Sequence, residues 1–334
     1  MDAIGLDENG KARIDYDRCV SCGQCLVSCP FGAIVDKSQI FQVVRSIAEG
    51  NTVVAIVAPS FVGQFGKNVT VPKFVASMKQ LGFSDVVEVA AGADVCAIEE
   101  ARDFVEKVPA QQKFLATSCC PSWRMMARRL FPNESGNISM TYTPMIYTAR
   151  LVKHTHPGSK VVFIGPCAAK KLEAMQQELR SDVDFVLTYE ELMGIFEAKA
   201  IDFSQLPDTQ ELHDASGLGR GFVAAGGVAA AVEEVLRRTQ PDMEIKIQRA
   251  DGLRECRRLL TLAKEGKLDG FLLEGMACPG GCVAGAGTII PAEAAKKQLD
   301  VHVRQAEVFS CAESPYRAFA GLLEEPAARE ETKR

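Results

Sequence analysis

From residue 52 onward, short unbroken apolar runs alternate with segments of helical periodicity. Thr52–Ala58 is the first such run, and its uninterrupted character predicts a strand buried on both faces of a parallel sheet. The spacing then predicts a helix over 71–82, a strand over Asp85–Val89, a helix over 94–107 and a strand over Lys113–Thr117. Pro121 suits the first turn of a helix, and Ser122–Met126 continues with helical spacing. A strand at Val161–Ile164 precedes a helix running to about residue 178, and 184–187 and 189–198 repeat strand then helix. Residues 202–220 are polar and Gly-rich and read as a loop. Gly226–Arg238 reads as a helix, Glu244–Gln248 as a strand, 253–265 as a helix and Gly270–Leu273 as a strand. Residues 291–307 and 315–324 read as helices, and 326–334 as a flexible tail. Strands alternating with helices specify an α/β chain. The expected architecture is two-lobed, with mainly parallel sheets flanked by helices over residues 50–325 and a small module over residues 1–40.

The cysteines change this picture most. There are 12 of them, and nothing at the N-terminus reads as a signal peptide, which predicts a cytoplasmic chain. In a reducing compartment, metal or catalytic roles are the better default than disulfides. Three predicted strands deliver a cysteine at or near their C-terminal ends: Thr117 leads to Cys119 and Cys120, Ile164 to Cys167, and Leu273 to Cys278. Ligands of open α/β sheets collect at the carboxyl ends of strands, so these thiols are expected to converge. Cys278 and Cys282 stand at i and i+4, the spacing of one face of a helical turn. Gly280, Gly281, Gly285 and Gly287 leave room for a bulky cofactor against bare backbone. Cys120, Cys167, Cys278 and Cys282 then make four thiolates for one buried [4Fe–4S] cluster. The net charge of −5 and the lack of a basic stretch interleaved with aromatics argue against nucleic acid. No apolar run is long enough to span a bilayer, so no membrane partner is expected.

Residues Cys19–Pro30 carry the bacterial ferredoxin run C-x2-C-x2-C-x3-C-P, whose closely spaced thiolates suit a second [4Fe–4S] cluster on Cys19, Cys22, Cys25 and Cys29. A zinc knuckle is the weaker reading, because zinc sites usually use separated pairs. Cys29-Pro30-Phe31-Gly32-Ala33-Ile34 has an echo in Met1-Asp2-Ala3-Ile4. Two-cluster ferredoxins exchange fourth ligands between halves. The expectation drawn from the echo is a module truncated within such a pair, with Cys29 serving the other cluster; local recruitment of Cys29 is the alternative.

Three motifs, in this order, resemble those of the [FeFe]-hydrogenases: Thr117-Ser118-Cys119-Cys120-Pro121-Ser122-Trp123, Pro166-Cys167-Ala168-Ala169-Lys170-Lys171-Leu172-Glu173, and Glu274–Cys282. The resemblance implies an H-cluster, a [4Fe–4S] cube joined through one cysteine to a diiron subsite carrying CO, cyanide and an azadithiolate. It implies that Cys120, Cys167 and Cys278 hold the cube and that Cys282 bridges to the diiron unit. Lys170 is expected to hydrogen-bond a cyanide, Met276 to pack on the diiron unit, and Pro59 and Ser60 to supply a further cyanide contact. Cys119 is expected to carry protons, and the implied path continues through Glu100, Thr143 and Asp103. Glu100 and Asp103 share a helix face at i and i+3, and Glu99 competes with Glu100 for the role. Against these readings stand a surface lysine and a solvated acidic face, where such residues normally lie.

Departures from the family pattern mark a divergent branch. Gly165 stands where the best-known enzymes have Met, and Val283-Ala284-Gly285-Ala286-Gly287-Thr288 replaces the usual triple glycine with Gln-Pro. The expected activity is reversible reduction of protons to H2. The partners implied are ferredoxin or another low-potential electron carrier, and H-cluster maturation proteins. A hydrogen sensor and an iron–sulfur assembly scaffold are the alternatives; Cys119 and Lys170 argue against them. Cys96, Cys256, Cys311 and Trp123 are expected in the core. His154, His156, His213 and His302 are read as surface or satisfied polar residues, and 202–220 as a possible partner contact.

Overall fold

The computed structural model describes residues 1–208, 212 and 215–323; the predicted tail over 326–334 and His213 lie outside the described residues. The chain opens with a short antiparallel hairpin, β1 (Ile4–Leu6) and β2 (Ala12–Ile14), followed by the small helix α1 (Gln24–Ser28) within the cysteine run. An unpredicted amphipathic helix, α2 (Ile40–Ala48), then joins this module to the rest.

The first large sheet begins with β3 (Val53–Val57), followed by α3 (Val71–Leu81), β4 (Asp85–Glu88) and α4 (Ala90–Lys107). After β5 (Leu115–Ala116) and α5 (Pro121–Leu130) comes α6 (Pro144–Thr155), which the periodicity did not predict. Then follow β6 (Lys160–Gly165), α7 (Ala169–Ala174), β7 (Phe185–Thr188) and α8 (Tyr189–Ala198). The predicted 202–220 loop holds a short helix, α9 (Gly217–Gly221). The chain continues with α10 (Gly227–Thr239), β8 (Lys246–Asp251), α11 (Leu253–Lys264), β9 (Phe271–Met276) and α12 (Ala292–Arg304). The segment expected as a last helix over 315–324 is a single 3-10 stretch, Pro315–Phe319.

Two sheets result, β4-β3-β6-β7 and β5-β9-β8, and every pairing within them is parallel. The chain is therefore α/β with parallel sheets flanked by helices. Strand side chains alternate between faces. Val53, Ala55 and Val57 of β3 pack toward α3 and α8, and Val54 and Ile56 toward Met145, Ile146 and Ala149 of α6. In the second sheet, Ala116 and Leu273 face α5 and α11, whereas Leu115 and Leu272 face α4 and α10. Helices α4, α6 and α10 thus fill the space between the sheets. Twelve of the 18 residues of α4 are buried, and small residues let its neighbours close in. A Cβ on Gly92 would lie 2.3 Å from the Pro144 carbonyl oxygen, so α6 approaches against bare backbone. No helix among the described residues is long and apolar enough to cross a membrane.

Candidate functional site

The carboxyl ends of strands from both sheets open into one cavity. Cys120 arrives from β5 as the N-cap of α5, with extended backbone (φ −98°, ψ 109°) and Pro121 in the first turn. Cys167 follows β6 by way of Pro166, and α7 begins two residues later. Cys278 and Cys282 follow β9. Their spacing suggested a helical turn, but Gly280 and Gly281 adopt φ of +84° and +95°, so the loop is a left-handed turn that only glycine makes without strain. The segment 223–225 passes so close that a Cβ on Gly281 would lie 2.5 Å from the Ala225 amide nitrogen. Asp251 accepts from the Gly280 amide, and the buried Glu274 carboxylate accepts from the amides of Gly226 and Ala229 at 2.6 and 2.7 Å. The Cys278–Cys282 loop is pinned from both sides.

The cavity is lined by Cys119, Cys120, Cys167, Cys278 and Cys282 together with Lys170, Met276 and Pro59. Ser60 is not on this wall: its hydroxyl is buried against the Tyr189 hydroxyl at 2.8 Å. Tyr189 is the first residue of α8, and its pull turns the Ser60 side chain away from the cavity. Among the described residues no three His, Cys, Asp or Glu side chains converge closely enough to hold a single metal ion. The thiols surround a space instead, which suits a polynuclear group with one thiolate per iron. Burial pushes Cys167 up to about 11 and raises Cys120, Cys278 and Cys282 from their ordinary values. A cluster must therefore displace protons as it binds. Lys170 lies inside with its ammonium 2.6 Å from Glu173. Burial alone would lower its pKa, but Glu173 more than offsets this and holds Lys170 above the usual range, so its charge is retained. Four thiols, a fixed cation and apolar walls fit an anionic iron–sulfur cofactor with further small anionic ligands.

Behind the cavity, α4 carries the acidic residues. Glu100 is fully buried, and one carboxylate oxygen accepts from the Ser118 amide at 2.7 Å and its hydroxyl at 3.0 Å; the other has no hydrogen-bond partner. Burial raises Glu100 to about 7, against the pull of these Ser118 donors. Burial, with Glu100 next, raises Cys119 well above the ordinary thiol value. Glu99 is engaged elsewhere, with Arg102 and the Gly321 amide. Thr143 does not bridge Glu100 and Asp103: its hydroxyl is buried without a hydrogen-bond partner. Ser139 reaches Asp103 instead, donating to its carboxylate at 2.9 Å, and lies 2.8 Å from the Thr141 hydroxyl. The extended stretch after Ile138 aims alternate residues toward α4, whereas Thr143 is the N-cap of α6. Asp103 also pairs with Lys107 at 2.9 Å at the half-buried margin.

The N-terminal module brings Cys19, Cys22 and Cys25 around one pocket, and Cys22 also lines the cavity between the strand ends. Gly23 seats the module: a Cβ there would lie 2.4 Å from Ala286. Cys29 faces elsewhere and does not line that pocket. Backbone amides of Ala33 and Phe31 lower its pKa, unlike that of Cys25, which burial and then Cys22 raise. Lys171 locks the module's exit, pairing with Asp36 at 2.7 Å and Glu191 at 2.9 Å. Of the cysteines outside these groups, Cys96, Cys256 and Cys311 are buried, as is Trp123. His302 is buried and paired with Glu88 at 2.6 Å.

Residues 51–286 match the model of the iron only hydrogenase large subunit, C-terminal domain, and residues 11–34 match a 4Fe-4S binding domain. The chain is 29% identical to the NADP-reducing hydrogenase subunit HndD of Solidesulfovibrio fructosivorans, over 80% of this chain and 55% of that protein. It thus spans about half the length of that relative. It is 26% identical to the cytosolic iron-sulfur assembly component 3 of Bos taurus, over 88% of this chain and 76% of that protein. In fold it is similar to an apo [FeFe]-hydrogenase HydA1 variant from Chlamydomonas reinhardtii, with a TM-score of 0.67 at 19% identity over 88% of this chain and 96% of that one.

Proposed function

The chain belongs to the iron-only hydrogenase large-subunit family, and from that premise we propose that it reversibly reduces protons to H2 at an H-cluster. The observation that carries the reading is one cavity walled by Cys119, Cys120, Cys167, Cys278 and Cys282 with Lys170 and Met276. Cys120, Cys167 and Cys278 would hold the cube, and Cys282 would hold the diiron subsite beside it. Lys170 offers a charge-assisted hydrogen bond to a cyanide; Pro59 and Met276 shape the apolar wall and exclude water. When bound, the group would supply the redox chemistry of proton reduction. A [4Fe–4S] cluster held on the N-terminal module would supply the electrons, and the module's Cys22 lines the same cavity.

The chain's own residues move the protons. Cys119 is the thiol beside the cofactor that gives and takes a proton. Glu100, held near neutrality by burial, matches the requirement that a relay group titrate near the working pH. Ser139 and Asp103 carry the path toward the margin, in the place expected for Thr143 and Asp103. Anaerobic H2 evolution with a reduced dye, after loading with the diiron cofactor, tests the reading. Cys119→Ala is expected to lower turnover on the order of 10²-fold or more while the infrared bands of CO and cyanide stay in place. Full turnover in that variant would remove Cys119 from the path.

A second reading, an iron–sulfur assembly scaffold, is favoured by the similarity to the assembly component along 88% of the chain. Infrared spectra separate the two. A loaded chain without CO and cyanide bands supports the scaffold and ends the hydrogenase reading.

A further inference from the structure

We propose that Phe163 is a wall of the cofactor cavity that stands in for a side chain at position 165. That this wall meets an H-cluster rests on the hydrogenase reading above; the exchange of volume between the two positions is read from packing alone.

Phe163 and Gly165 stand two residues apart on β6, so they share a face of the sheet. It is the face packed on α6, because Phe163 clusters with Met145, Ile146 and Ala149. Gly165 continues the parallel ladder opposite Thr188. It lacks the left-handed backbone of Gly280 and Gly281, so main-chain conformation does not require a glycine there. Space does. A Cβ on Gly165 would lie 2.5 Å from Cζ and 2.6 Å from Cε1 of Phe163, and 3.2 Å from the Cβ of Ala58. Cζ is the tip of the ring. Phe163 therefore leans along its own strand, as strand side chains do, and its tip covers the bare Cα of Gly165.

The same ring lines the cavity. Phe163 is only 3% exposed, yet it borders the space the thiols surround, together with Ala58, Val89 and Met145 of its own core cluster. Helix α6 blocks the ring from behind, so its open direction is into the cavity. A cofactor bound there would close that direction too. One volume thus serves two positions: a ring at 163 with glycine at 165, or a small residue at 163 with a larger one at 165. The departure from the family pattern at Gly165 leaves no vacancy in the wall. It exchanges a flexible thioether, which adapts to irregular space, for a planar ring that close packing holds in one place.

A mutant cycle tests the exchange. G165M is made in the wild-type chain and in F163A, and unfolding of the cluster-free chains in denaturant is followed by Trp123 fluorescence. In the wild-type background G165M is expected to raise the unfolding equilibrium constant on the order of tenfold or more, by overpacking. F163A is expected to raise it as well, by opening a void. In the F163A background G165M is expected to lower it, because the new side chain fills that void. V162A is the control: Val162 is buried in the core on the opposite face of β6, so G165M is expected to stay destabilising beside it. F163L repeats the cycle with a smaller void if F163A does not fold. The second readout is the infrared spectrum after loading with the diiron cofactor. F163A is expected to shift or broaden the CO and cyanide bands and F163A/G165M to narrow them again, which a role in core packing alone would not produce. A G165M effect of the same sign in both backgrounds overturns the proposal. Bands that F163A leaves unmoved overturn it as well, because the ring is then no wall of the bound cofactor. A wild-type chain without CO and cyanide bands ends the hydrogenase reading, and the sign of G165M in the two backgrounds still decides the exchange of volume.

Discussion

At the scale of single residues, Glu100 and Cys29 show how surroundings set chemistry. Burial lifts Glu100 to about 7 from an ordinary value of 4.5. Between those two values the native chain keeps a proton that the unfolded chain has released. The associated stability is fully present below about 4.5 and is lost as pH rises through about 7. At 1.36 kcal/mol per unit, the loss is roughly 3 kcal/mol at most. Denaturant titration of the cluster-free chain from pH 5 to 8 is expected to show this fall, and Glu100→Gln to remove it. Cys29 behaves oppositely, since donated amide hydrogens favour its thiolate. In the cluster-free chain, iodoacetamide near neutral pH is expected to modify Cys29 well before Cys167, Cys278 and Cys282, whose thiols desolvation raises, as peptide mapping would report. The thiols were legible in the sequence because a strand end, a cysteine and a helix start leave a local pattern. The hydroxyls were not. Ser139, Thr141 and Thr143 alternate on one extended stretch, and only its approach to α4 selects which of them meets Asp103.

At the scale of elements, the patterns that failed did so for definable reasons. Helix α6 is buried continuously from Met145 to Val152, so it lies between packed neighbours and has no polar stripe to give it a period. Strand β8 was placed two residues early because it is largely exposed and lacks the apolar run that marked β3. Tight approaches left no sequence trace beyond a glycine. Gly275 is the sharpest case, since a Cβ there would lie 2.3 Å from the Trp123 ring. Trp123 sits on α5, the helix whose N-cap is Cys120, so the ring, strand β9 and the thiol are mechanically one unit. Gly275→Ala is expected to cost about 1–3 kcal/mol by overpacking. Denaturation followed by Trp123 fluorescence measures it directly, because it is the chain's one tryptophan.

At the scale of the whole molecule, alternating strands and helices made the α/β class legible, whereas the way the module is fastened was not. Lys171 is buried between Asp36, at the module's exit, and Glu191, in the capping box of α8. Its neighbour Lys170 carries the expected cofactor contact, so a run of two lysines divides between site and scaffold. Lys171→Met leaves the half-buried Glu191 with the Thr188 amide as its remaining donor, at a cost of about 1–3 kcal/mol. Faster limited proteolysis between residues 36 and 40 is the expected readout, with unchanged cleavage counting against this fastening role. The placement of the thiols has a further consequence. Cys167 belongs to the sheet β4-β3-β6-β7, and Cys120, Cys278 and Cys282 to the sheet β5-β9-β8. A cube bound to all four would be a covalent cross-link between the two sheets, closing long loops whose freedom the unfolded state would otherwise keep. Its insertion would then act as an inspection of folding: neither sheet alone presents all four thiols, and a core substitution beside either sheet is expected to lower iron occupancy before it lowers helix content.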